Sequence, residues 1–123
     1  NNILPSSVNS GEQLVDLSFL EDFTEKNLEQ MQYFIQKFID TMPATLQQLE
    51  TAISTGDFQQ IKKKAHNIKP QIAFVGISSA VKKIEKIEDL VLEKHGLDEI
   101  KTTFLEIKNL ISDSIFYFEK NIL

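Results

Sequence analysis

Apolar residues separated by threes and fours recur through four long stretches of this chain, and no other feature constrains its fold as much. One face of an α-helix repeats every 3.6 residues, so each stretch describes a helix with a single buried stripe. The first runs from about Lys26 to Ser54, with Leu28, Met31, Ile35, Phe38, Met42, Leu46, Leu49 and Ile53 on its stripe. Pro43 falls inside it, removing one backbone donor and bending the axis. Gly56 and Asp57 then break the pattern, as a left-handed C-cap and the next N-cap. The second stretch aligns Phe58, Ile61, Ala65, Ile68, Ile72 and Val75 and stops at Gly76. Ser78 or Ser79 caps the third, which faces inward with Val81, Ile84, Ile87 and Val91. The last uses Leu97, Ile100, Phe104, Ile107, Ile111, Ile115 and Phe118. A shorter helix, about Leu17 to Phe23, follows Asp16 as its N-cap.

Short connections force successive helices to run in opposite directions. The predicted fold is therefore all-α: an antiparallel four-helix bundle with a short N-terminal capping helix. Residues 1–14, which include Pro5, Gly11 and several serines, read as a linker or disordered start, and residues 15–123 as the bundle. A chain of 123 residues suits one domain. Its 13 lysines and 18 acidic residues leave a formal charge of −5, a poor basis for binding nucleic acid. With no cysteine, disulfides, thiolate zinc sites and thiol chemistry are excluded. No apolar run approaches the roughly 20 residues that span a bilayer, so no membrane contact by this segment is expected. The chain begins at Asn1, as a segment of a longer protein would.

The stretch KKKAHNIKPQIAFVG, residues 62–76, holds the one side chain the packing does not explain. At 100° per residue, His66 points about 130° away from the centre of its helix's apolar stripe. Lys62 and Lys63 precede it by about one turn, and Lys69 and Pro70 follow by the same interval. Ala73, one turn beyond Lys69, is small and leaves the surface beside the histidine open. An exposed neutral imidazole is a nucleophile for the phosphorus of an acyl phosphate. Such a transfer needs in-line positioning and charge compensation at the equatorial oxygens, which a protonated lysine one turn away supplies. A surface histidine among lysines is, taken alone, more often just part of a solvated face.

The string AHNIKPQIAFVG resembles the signature of histidine-containing phosphotransfer domains, through Ala65, His66, Lys69, Pro70 and Gly76. The order of elements from Leu17 to Phe118 is similar to that family as well. The resemblance implies that His66 is phosphorylated, at Nε2, with Lys69 as the charge partner of the phosphoryl group. It implies that Gly76 is a compact helix end kept close to the site, and that Gln71 supports it by hydrogen bonding. Pro70 departs from the glycine usual there. The family implies a carrier that shuttles phosphate between receiver-domain aspartates, not a kinase, and the chain has no glycine-rich phosphate loop. It needs no cofactor or metal of its own, magnesium being brought by the receiver.

Expected partners are response-regulator receiver domains and kinase domains of the same parent chain, with the segment itself monomeric. The expected setting is the cytoplasm, with the parent free to be anchored in the inner membrane. Its place is that of the C-terminal domain of a hybrid sensor histidine kinase, with the module of a chemotaxis-type kinase as a variant. The competing function is a helical protein-interaction module in which His66 is incidental.

Three further groups have plainer accounts. His95 before Gly96 is a helix C-terminal cation. Glu85, Glu88, Asp89 and Glu93 read as an exposed face paired with Lys82, Lys83 and Lys86, since the Glu-x-x-His pairs of di-iron bundles are missing. Phe116, Tyr117 and Phe118 read as core plus an edge residue, whereas Phe34 and Ile39 fall beside the main stripe and suggest an apolar patch for receiver docking.

Overall fold

The computed structural model describes residues 14–93 and 96–123. Five helices follow one another: α1 (Ser18–Phe23), α2 (Leu28–Thr55), α3 (Phe58–Phe74), α4 (Ser78–Glu93) and α5 (Leu97–Asn121). Contacts join α2 to α3, α3 to α4, α4 to α5 and α5 back to α2, which closes an antiparallel four-helix bundle. His95 and residues 1–13, where the linker was expected, lie outside the described residues.

Side-chain caps start α2 and α3, whereas α1 begins after Leu17, which makes no side-chain cap, so Asp16 is not its N-cap as the sequence suggested. The Asn27 side chain accepts a hydrogen bond from the Gln30 amide at 3.0 Å, and Asp57 accepts one from Gln60 at 3.1 Å. Gly56 closes α2 at φ +68°, where a side chain is disfavoured. Asp16 takes both the amide and the hydroxyl of Ser18, at 3.0 and 2.6 Å. These bonds hold its carboxyl below the usual carboxylate range, the hydroxyl contributing most. Pro43 and Pro70 both lie within continuous helix.

The predicted stripes form the core, with small displacements at their ends. Ile35, Met42, Leu49, Ile61, Ile68, Ile72, Ile84, Ile87, Ile100 and Phe118 are all fully buried. Leu28 is not: it is 58% exposed. Gln32 donates to the Ile122 carbonyl at 2.7 Å, so α5 ends level with Gln32 and no helix covers the turn before it. On α4, Ala80 takes the buried position assigned to Val81, which is half-buried. Small polar residues complete the core of α5: Thr103 and Ser114 are both buried, and the Ser114 hydroxyl donates to the Leu110 carbonyl at 2.7 Å.

The capping helix α1 is fastened across one end. Leu20 is fully buried, and the Asp16 amide donates to the Gly76 carbonyl at 2.8 Å. Gly76 has φ +80°, and a Cβ placed on it would lie 1.7 Å from the Asp16 carbonyl oxygen. Glycine is needed there on both counts.

Candidate functional site

His66 stands on α3 between the buried Ala65 and Ile68, so the helix that packs those two inward turns the imidazole outward. Its side chain is 76% exposed. Lys62, Lys63, Pro70 and Ala73 are exposed around it. The Lys69 side chain is 28% exposed, because it lies in the seam between α3 and α4.

That seam holds the electrostatics. Lys69 Nζ donates to Glu88 Oε1 at 2.8 Å and lies 3.9 Å from Glu85 Oε2. Glu88 Oε2 is 3.6 Å from His66 Nδ1. One carboxylate, 22% exposed, thus touches the two side chains the sequence singles out, with one oxygen for each. The hydrogen bond to Glu88 raises the Lys69 pKa above its ordinary value, with Glu85 and Asp89 adding to this against partial desolvation. Lys69 is therefore a cation at any cellular pH.

Glu88 is the residue missing from the sequence-based set, and the expected pairing of the acidic face needs correction. Lys83 pairs with Glu106 at 3.1 Å and Lys86 with Glu99 at 3.3 Å, both across to α5. The outer turns of α4 thereby leave Glu85 and Glu88 to α3. A register signal was present in the chain. Lys69 and Glu85 each lie eight residues from Ile77 in the α3–α4 turn, and His66 and Glu88 each lie eleven. In an antiparallel hairpin, residues equidistant from the turn meet.

Four expected site residues sit elsewhere. Gln71 is about 140° around the helix from His66, and its amide donates to the Asn67 carbonyl at 3.2 Å. It lines a groove against α2 with Lys37, Thr41 and Phe74 and does not support the imidazole. Gly76 lies past the end of α3, about 12 Å of helix beyond His66, and packs on Asp16. Its role is in the fold. Phe34 and Ile39 are both half-buried and about 140° apart on α2, so they make no common patch.

The exposed apolar surface is a different one. Phe74 meets Phe19, Phe23 and Phe34 edge-on, with ring centroids 5.6, 5.4 and 5.3 Å away. Tyr33 adds a further ring at 5.2 Å from Phe34. Phe19, Phe23 and Tyr33 remain 57%, 59% and 57% exposed. Phe74 follows His66 by eight residues, roughly two turns along α3 and about 80° around it. The sequence shows aromatic residues at these positions, but not that α1 folds back to join them.

No group of three or more histidine, aspartate or glutamate side chains that could hold a metal ion occurs among the described residues. No helix among them is long and apolar enough to cross a membrane. A family model described as Hpt domain matches residues 34–114, from α2 into α5, a span that contains His66, Lys69 and Glu88. Comparison with curated proteins and with solved structures finds no match. With that match over well more than half of its length, and with the helical bundle the family shares, the chain belongs to the Hpt domain family, the phosphotransfer modules of phosphorelays that work with receiver domains of response regulators.

Proposed function

We propose that His66 is the residue of this chain that carries the phosphoryl group, accepted from one receiver aspartate and passed to another. The observation that supports this is an imidazole 76% exposed at mid-helix with a lysine one turn away on the same side. Nε2 attacks phosphorus as the aspartyl P–O bond breaks, and the electron pair of that bond leaves with the receiver carboxylate. Lys69 compensates charge on the equatorial oxygens, and the exposed Lys62 and Lys63 favour approach of an acidic receiver pocket. Magnesium belongs to that pocket.

The receiver docks over the His66 face of α3, and the ring cluster around Phe74 forms the apolar part of its footprint. Ile39 and Gln71 have no part in it, and Pro70 and Ala73 leave the approach unobstructed. We place the module within a hybrid sensor histidine kinase.

The test is phosphotransfer from the phosphorylated receivers of the same genome to the wild-type chain and to His66→Gln. Wild-type chain acquires a label that is lost in acid and survives alkali, as a phosphoramidate is. His66→Gln acquires none, while its unfolding free energy stays within about 0.5 kcal/mol of wild type, as befits an exposed position. A variant that still takes label shows that His66 is incidental. Receiver binding without label transfer to the wild-type chain identifies an interaction module instead.

A further inference from the structure

Contacts around the bundle run from α2 to α3, α4, α5 and back to α2, so α5 stands diagonally opposite α3 and its histidine. On its outer face Leu105 and Phe116 are 57% and 62% exposed. At 100° per residue the two fall within about 20° of one another, with the small, exposed Ser112 between them near the same line. Two large apolar side chains thus stand in water at one azimuth, about three turns apart.

Charges flank this line in a definite order. Lys101 and Glu119 both lie about 40° to one side of Leu105, and Asp98 and Lys120 lie about 20° and 60° to the other. All four are exposed, and none has an ion-pair partner among the described residues. The remaining charges of α5 differ. Glu99 and Glu106 pair with α4, Lys108 lies 3.8 Å from Glu50 on α2, and Asp113 is about 80° off the line.

We propose that this face of α5 is an interface with a second copy of the chain, the two α5 helices packing antiparallel about a two-fold axis near residue 110. Residues about equally far from that point in opposite directions then meet. Leu105 packs on the partner's Phe116, Lys101 faces the partner's Glu119, and Asp98 faces the partner's Lys120, each contact occurring twice. The members of each charged pair lie on the same side of the apolar line, as a two-fold axis across it requires.

The choice of a second copy follows from the order of these residues. Along the helix it is acid, base, apolar, apolar, acid, base; reversed, it becomes its own charge complement. That is the condition for an isologous interface. A parallel pairing sets each of these charges against its own copy and is repelled. The contact runs along one helix of 25 residues, which places it at the low end of specific interfaces, about 1,200 Å² in total, and makes the dimer a weak one. Both α3 helices lie on its outer sides, so each His66 stays exposed. This departs from the monomer expected of the sequence, and it holds independently of the role given to His66.

Sedimentation equilibrium of the full chain, from about 1 µM to about 500 µM at roughly 0.05 M ionic strength, measures the association. Wild type shows a monomer–dimer equilibrium. Lys101→Glu and Glu119→Lys each weaken it about tenfold or more, because each brings like charges together at two symmetric positions. An equimolar mixture of these two variants recovers dimer to within about threefold of wild type, since the heterodimer again sets Glu against Lys at both positions. Phe116→Ala weakens the dimer by about tenfold as well. All of these positions are exposed, so the variants keep wild-type helical content by circular dichroism. A wild-type chain that is monomeric throughout the range overturns the proposal and leaves the face to a partner of another kind. A dimer that the single variants leave intact, or that their mixture fails to recover, overturns it by placing the contact elsewhere.

Discussion

His66 and Gly76 stand ten residues apart on and just beyond α3, and both belong to the motif that the sequence presents as one unit. Their surroundings differ in kind. Around His66 the surface is wet, the contacts are between charged side chains, and the imidazole is 76% exposed. At Gly76 the backbone of the N-terminal segment lies so close that a methyl group cannot be placed, its Cβ falling 1.7 Å from the Asp16 carbonyl oxygen. A substitution at the first place changes chemistry on an intact scaffold, whereas one at the second changes the scaffold. Proximity in sequence motif is therefore no guide to a shared role.

The sharpest way to break this contrast is Gly76→Ala. The left-handed backbone and the forced separation from Asp16 together cost about 3 kcal/mol, read as a loss of roughly 10 °C in the melting temperature. A loss below about 1 kcal/mol would mean that α1 is held by its ring contacts and not by the backbone clamp. Phe74→Ala comes next, since Phe74 belongs to both regions by lying at the end of α3 and facing the surface beside the histidine. It removes the centre of the ring cluster at a cost of about 1–2 kcal/mol. Receiver affinity should fall about tenfold if the cluster is a docking anchor. Titration calorimetry with a cognate receiver measures this, and unaltered affinity removes the aromatic rings from the footprint.

The smallest effect belongs to Lys69→Met. Because both partners keep partial solvent contact, the Lys69–Glu88 pair contributes at most about 1 kcal/mol to folding. Its pH dependence carries a definite sign. A lysine whose pKa rises on folding stabilises the native state fully below the ordinary value of 10.5, and that contribution disappears as pH rises through the higher folded value. Urea unfolding of wild type and Lys69→Met should therefore differ by a constant amount from neutral pH up to about 10.5, and converge above it. A difference that instead shrinks between neutrality and 10.5 would show that the pair is not formed in solution.

Much of the bundle was readable from short-range pattern. The stripe of Ile61, Ala65, Ile68 and Ile72 requires only that residues three and four apart share a face, and the same count turns His66 outward. Asp57 as a cap and Gly56 as a left-handed stop are likewise local, since each involves backbone within one turn. Where pattern reading erred, the missing information came from another helix. Leu28 has the right spacing and no neighbour above it, Gln71 has the right position in a motif and the wrong azimuth, and the pairing of α4 lysines with α4 acids lost to Glu106 and Glu99 on α5.

Helix identity, helix order and the exposure of one imidazole follow from interactions that close within a few residues, which the order of side chains alone determines. The partners of that imidazole do not. Glu88 beneath His66, the rings of α1 on Phe74, and Asp16 against Gly76 each join segments far apart in the chain. Such contacts depend on the depth at which helices pack and on the register of one against the next. Those are set by the whole core at once, through the fit of all its side chains, so only the tertiary structure decides them.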